Sequence, residues 1–238
     1  DWLIISTGDN ETSEIRLVRA DDPTGEQILI SARQKGREYS VDVRNDELFI
    51  WTNDEHINFR LAKSSIENPG SWEDVVPGSD DFYLTGFELF KDFYVTEGRL
   101  NGLDQIQIRS YADVAEMRSI EFPEASYTTG LSNNPEYDVK KLRLSYESMV
   151  TPDSVYDYNV ESGELELLKQ QEIPSGYDAS QYTTERVTIE ARDGAQVPVS
   201  IVMRRDREPG GPLHLYAYGA YGYAVPPSFS TTRLSLID

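Results

Sequence analysis

The chain has 238 residues, no cysteine, two histidines and a formal net charge of −20. The absence of thiols excludes a disulfide scaffold and thiolate metal sites, and the acidic balance argues against nucleic acid, because phosphate binding needs a basic face. No apolar run reaches the roughly 18 residues of a membrane-spanning helix, so no membrane partner is expected, and the length allows one large domain or two small ones.

The chain opens directly on an apolar run, Trp2-Leu3-Ile4-Ile5, with no initiator Met and no signal peptide. It reads as a piece of something longer. Short strands follow at Leu3–Thr7, Glu14–Arg19, Gln27–Ala32, Tyr39–Val43, Leu48–Thr52, Phe59–Ala62 and Trp72–Val76. Further strands fall at Tyr83–Leu89, Phe93–Glu97, Gln105–Ser110, Arg118–Ile120, Leu142–Tyr146, Ser154–Asn159 and Leu165–Lys169. Aromatic and β-branched residues dominate these runs, and several alternate. Gly8-Asp9-Asn10, Asp21-Asp22-Pro23, Arg44-Asn45-Asp46, Pro69-Gly70, Glu97-Gly98 and Glu161-Ser162-Gly163 supply turn chemistry between them. No part of this stretch carries a long, capped helical period.

A looser repeat runs through the strands. Trp2–Thr7, Asn45–Trp51, Phe87–Val95 and Tyr137–Tyr146 each begin a set of about four, spaced roughly 40–50 residues apart, the blade period of a β-propeller. About three and a half blades fit, fewer than a closed propeller needs. A two-sheet sandwich has the same local pattern.

The pattern changes at Gln171–Tyr177, a polar connection bearing Pro174 and Gly176. Glu185–Ala191 and Val197–Arg204 then flank Arg192-Asp193-Gly194, and Asp-Gly between β-rich runs predicts a hairpin. Polar Arg205–Gly211 leads to a third expected strand, Pro212–Tyr218. That run ends in a turn dense in glycine and tyrosine, which suits a buried strand carrying hydroxyls and free backbone N–H groups to the mouth of an α/β sheet.

Several of these segments resemble the prolyl oligopeptidase family of serine peptidases. Tyr216-Ala217-Tyr218-Gly219-Ala220-Tyr221-Gly222 is similar to that family's Tyr-Gly-Tyr-Gly turn, with Ala217 where the family commonly has glycine. Pro227–Leu234 follows with a matching Pro-x-Phe-Ser and Arg-Leu pattern. Glu185-Arg186-Val187 with Ala191–Ser200 resembles the opening of the family's hydrolase domain. Thr52-Asn53-Asp54 with Asn58-Phe59-Arg60-Leu61, and Ser148–Tyr156, resemble recurrent propeller segments. The latter stretch and the Ala-Arg-Asp-Gly hairpin are most like the oligopeptidase B branch. Together these segments span nearly the whole chain.

The resemblance implies a mainly β chain: part of a β-propeller, seven-bladed in the parent, over residues 1–175, then the first strands of an α/β-hydrolase domain over 176–238. It implies a serine endopeptidase that cuts short peptides after Arg or Lys, with the propeller restricting access to the active site. The serine, aspartate and histidine of the triad are not in this chain, nor are the family's acidic specificity residues, so the chain alone is expected to be inactive. Tyr218 takes the role of oxyanion donor, since a preplaced donor stabilises the charge that acyl transfer develops. Tyr221 lies where the family has a residue near the substrate pocket, and its ring suits a guanidinium. Read without the family, Tyr216, Tyr218, Tyr221 and Tyr223 are equally amphipathic wall residues with wet hydroxyls.

Little else carries chemistry. There is no Gly-x-Ser-x-Gly, phosphate loop or zinc motif, so no cofactor or metal is expected. Asp21-Asp22, Asp80-Asp81 and Glu164/Glu166 lack the spacing of calcium loops and read as turns and strand faces. His214 reads as a buried strand histidine and His56 as a solvated loop residue. The charge either draws in basic peptides or serves solubility. Short basic peptides are the expected partners, beside the early blades and the rest of the hydrolase domain. A prolyl-specific member of the family and a non-catalytic propeller scaffold are the rival readings. The parent is expected in the cytoplasm, with a periplasmic parent also compatible.

Overall fold

The computed structural model describes residues 1–113, 115–208 and 210–238. Two compact units divide it: Asp1–Arg99 with Gln107–Arg118, and Leu100–Ile106 with Ser119–Asp238. Up to residue 170 the described elements are strands in successive antiparallel meanders.

The first sheet holds β1 (Trp2–Gly8), β2 (Ser13–Arg19) and β3 (Ile28–Ser31) in chain order. The second holds β4 (Tyr39–Arg44), β5 (Glu47–Thr52), β6 (Arg60–Ser65) and β7 (Asn68–Val76). The third holds β8 (Phe82–Leu89), β9 (Phe93–Leu100), β10 (Leu103–Ser110) and β11 (Met117–Ser119). The fourth holds β12 (Tyr127–Leu131), β13 (Lys141–Ser148), β14 (Ser154–Asn159) and β15 (Leu165–Gln170).

The second sheet shows why these strands read as apolar runs. Neighbouring residues of β5 belong to different cores, because successive side chains point to opposite faces. Leu48 and Ile50 join Ile15, Leu17, Ile30 and Val41 in one cluster. Phe49 joins Leu61, Val76, Leu84 and Tyr94 in another. A sheet buried on both faces loses the polar half of its alternation. Within the first unit, this stacking of sheets differs from an antiparallel sandwich with one wet face per sheet.

The repeat length stands, but two of the four expected starts miss by one strand, while Trp2 opens β1 and Phe87 lies inside β8. The four-stranded sheets begin at Tyr39, Phe82 and Tyr127, whereas the expected starts at Asn45 and Tyr137 fall at second strands. Second strands are the most deeply buried, so they carry the loudest apolar signal. β12 was not anticipated: it is only five residues long, and Gly130 weakens its strand pattern. Pro69-Gly70, expected as a turn, lies inside β7. β7 is an edge strand with register shifts against β6, where a missing N–H is tolerated.

Tight turns follow the φ signs that meanders demand. Asn45 (φ 49°) and Asp46 (φ 62°) join β4 to β5, and Asn101 (φ 51°) and Gly102 (φ 74°) join β9 to β10. Two left-handed central residues match the right-handed twist of the flanking strands.

Carboxylates on this framework carry an electrostatic cost. Burial lifts the Asp42 carboxyl above its ordinary range, against the 2.7 Å hydrogen bond it accepts from the Val43 N–H. Burial, then the charges of Glu97 and Asp42, lifts Glu88. A raised folded-state pKa means that ionisation opposes folding above it, while below the unfolded value of ~4.3 both states are protonated and the penalty is gone. Glu88→Gln is therefore expected to raise the urea midpoint at pH 7, with the gain fading as the pH falls towards ~4. An equal midpoint shift at both ends of that range would contradict this.

After the fourth sheet the chain makes a short 3₁₀ turn, Ala179–Gln181, and then the hairpin of β16 (Tyr182–Glu190) and β17 (Gln196–Arg204). The Asp-Gly turn forms as expected: the Gly194 N–H donates to Ala191 O at 2.9 Å, with Gly194 at φ 86°. The expected third strand does not form. Pro212–Tyr218 joins no ladder, and Leu213 and Leu215 are 83% and 78% exposed. A strand is defined by its partners, and among the described strands none pairs with this segment. Of the strands expected after residue 176, the described residues form only the two-stranded hairpin.

One helix was not anticipated. α1 (Thr231–Ile237) is capped by the Ser230 side chain, which accepts from the Arg233 N–H at 3.2 Å. Phe229 before the cap and Leu234 four residues after it share a cluster with Val150, Tyr182 and Tyr177. This hydrophobic staple holds two turns that have no periodicity long enough to read.

Candidate functional site

The candidate site is the segment Tyr216–Tyr223. It is built by backbone conformation more than by packing. The Tyr223 N–H donates to Ala220 O at 3.0 Å, closing a four-residue turn. Its central residues, Tyr221 (φ 56°) and Gly222 (φ 64°), are both left-handed, the pattern of a type I′ turn. Gly219 (φ 74°) precedes it. Glycine takes such angles freely, while a tyrosine there is held at a cost of order 1–3 kcal/mol.

The turn brings Tyr223 back against Tyr218. Their rings meet edge to face, with centroids 5.4 Å apart at 80°. Such pairs contribute about 0.5–1.5 kcal/mol beyond area burial, enough to orient one ring by the other. Tyr218 is 53% exposed and Tyr221 is 96% exposed. The structure therefore joins Tyr218 to Tyr223 and leaves Tyr221 projecting at the apex of the turn.

The two histidines differ from their readings. His214 is exposed in the unpaired segment, because the strand that would have buried it does not form. His56 is not simply solvated. Its Nδ1 accepts from the Asn58 N–H at 3.0 Å, and its Nε2 lies 3.3 Å from Asp80 Oδ1. Asn58 Nδ2 donates to Ser79 O at 2.9 Å. His56 thus ties the β5–β6 loop to the β7–β8 loop.

The segment Thr52–Leu61 turns out to be a structural device. Buried Arg60 donates to Asp54 Oδ1 and Oδ2, both at 2.9 Å, and to Asp74 Oδ1 at 2.6 Å. Those bonds, Asp54 first, hold its guanidinium above the ordinary value. Phe59, at φ 63°, stacks on Trp51 with centroids 3.9 Å apart and 6° between planes. The Trp51 Nε1–H in turn donates to Leu84 O at 2.9 Å. The resemblance of Thr52–Asp54 and Asn58–Leu61 to a recurrent propeller segment marked the region, but Asp74 joins from another strand.

In the second unit, the fourth sheet receives the segment that follows the candidate site. Glu147 Oε2, at the end of β13, accepts from the Phe229 N–H at 2.9 Å. Tyr182 donates its hydroxyl to Asp238 Oδ1 at 2.6 Å, and Arg204 Nη1 donates to the same oxygen at 3.0 Å. These contacts link residues dozens of positions apart, which no local pattern encodes.

The chain matches known proteins over its whole length. Residues 1–171 match the family model described as prolyl oligopeptidase, N-terminal β-propeller domain. The chain is 38% identical to dipeptidyl aminopeptidase BI of Pseudoxanthomonas mexicana, with all of this chain aligned to 33% of that protein. It is 30% identical to protease 2 of Moraxella lacunata, covering 34% of that protein. Among solved structures, it is similar to oligopeptidase B from Trypanosoma brucei with covalently bound antipain in a closed form. That similarity has a TM-score of 0.90 and 29% identity, over 100% of this chain and 35% of that one. The chain thus spans about a third of the length of the relatives it matches. Two sequence relatives and a closely superposable fold agree with the family model: the chain belongs to the prolyl oligopeptidase family, and residues 1–171 correspond to its N-terminal β-propeller domain.

Proposed function

We propose that the intact protein is a serine oligopeptidase that cleaves short peptides after Arg or Lys, behind a seven-bladed propeller that limits access. The observation that carries this reading is the similarity of the whole chain, residues 172–238 included, to an oligopeptidase B that holds a covalent ligand. A covalent adduct requires a nucleophile. In this reading the propeller portion runs to about residue 175, and 176–238 begins the hydrolase domain. Serine attacks, histidine moves the proton, and the Tyr218 hydroxyl donates to the developing oxyanion. Tyr221, projecting from its turn, stacks on the guanidinium of the substrate. The charge of −20 supports a preference for basic peptides, through a field that raises their encounter rate.

Two measurements test the reading. The intact protein is expected to hydrolyse arginyl and lysyl reporters at least tenfold faster than a prolyl reporter. The reverse order favours a prolyl-specific enzyme, and no turnover of either favours a non-catalytic scaffold. The purified 238-residue chain is expected to show no turnover, since an oxyanion donor without a nucleophile has nothing to stabilise. Turnover that survives further purification would overturn the assignment of the triad to other parts of the protein.

A further inference from the structure

Arg186 stands where three distant segments converge. It lies in β16 directly opposite Ser200 of β17. Its Nη2 donates to Asn101 O at 2.6 Å, across 85 residues of chain, and its Nη1 donates to Ser200 Oγ at 3.3 Å. Ser126 Oγ, fully buried, lies 2.5 Å from the same Ser200 Oγ. Asp104 sits nearby and accepts from Thr128 Oγ1 at 2.5 Å and from the Thr129 N–H at 3.3 Å. The guanidinium thus bonds the β9–β10 turn and the hairpin directly, and reaches the approach to β12 through Ser200.

The turn is shaped to receive it. Asn101 and Gly102 are the two left-handed residues of the β9–β10 connection, and the Asn101 carbonyl accepts the Arg186 bond. A side chain at Gly102 would meet Pro198 Cγ at 3.2 Å and Arg186 Nη2 at 3.3 Å. The backbone therefore lies close against the hairpin, with little room for a side chain at Gly102. Burial lowers the pKa of Arg186, opposed by Tyr127 and Asp104. An arginine remains charged under such a shift, so its hydrogen bonds are charge-assisted.

We propose that Arg186 is a clamp that makes the β9–β10 turn, the approach to β12 and the β16–β17 hairpin open and close as one body. Where the hairpin begins the peptidase domain, as proposed above, this clamp fixes the pivot of any movement between that domain and the propeller; this second part rests on that reading. Arg186 acts as a positioning residue and touches no reacting atom.

The clamp is tested by hydrogen exchange on the intact protein. Arg186→Ala is expected to raise exchange of the amides in 100–106 and in 183–203 together, by roughly tenfold, the effect of losing charged hydrogen bonds. The amides of β4–β7 should not change. Arg186→Met keeps the apolar stem without the donors and should behave like Arg186→Ala. Arg186→Lys keeps the charge but only one donor nitrogen, should fall between, and serves as the reading if the alanine variant does not fold. Loosening of the hairpin with 100–106 unchanged would overturn the clamp, as would an equal rise across β4–β7 or full protection in Arg186→Met. Peptide turnover by the wild-type intact protein is the separate control. Its absence would remove the enzyme reading while the exchange result still decides the clamp.

Discussion

Under the proposed function, Tyr218→Phe in the intact protein is expected to lower kcat/KM by about 10²–10³. The change removes one hydroxyl and leaves the ring, so the edge-to-face contact with Tyr223 at 5.4 Å is kept. The loss should fall mainly on kcat, because a bond to a developing oxyanion is strongest in the transition state. Tyr216→Phe is the control and should cost less than about threefold. Tyr223→Phe should also be mild, since its ring alone supports Tyr218. Equal and small effects at Tyr216 and Tyr218 would make these tyrosines wall residues and end the assignment.

Arg60→Met is expected to destabilise the first unit by about 3 kcal/mol. The methionine fills much of the volume but leaves Asp54, Asp74 and Glu55 facing one another without their shared cation. Removing one partner of a buried ion pair typically costs 3–5 kcal/mol. The lower end applies here because Asp74 and Glu55 are partly hydrated. The urea midpoint should fall with little change in the slope, the mark of lost stability and not of altered compactness. Asp74→Asn, which leaves Arg60 bonded to Asp54, should cost about 1 kcal/mol. A loss below 1 kcal/mol for Arg60→Met would mean that the cluster is replaceable packing.

How much was legible in the residues depended on range. Strands such as β5 and β9 were readable because Leu48–Thr52 and Phe93–Glu97 are themselves β-rich, and the Asp193-Gly194 turn names its own conformation. Tyr127–Leu131 was not readable, because it is only five residues long, holds Gly130, and its pairing with β13 lies outside any local pattern. α1 is too short for a period and depends on Val150 and Tyr182, far away in sequence. Pro212–Tyr218 failed in the opposite direction: its alternation is strand-like, but alternation supplies no hydrogen-bond partner. The same holds for the site. The Tyr-Gly turn was visible, whereas the fork of Arg186 and the ties of His56 are long-range pairings that only a folded chain brings together.

The double-sided burial of β5 makes adjacent residues independent probes. Leu48 and Phe49 are covalent neighbours, yet a void opened under one is felt by the first sheet and under the other by the third. Damage therefore propagates along the stack, from plate to plate, and not along the polypeptide. A protein assembled this way can lose grip at a single seam while the plates on either side keep their own hydrogen bonds.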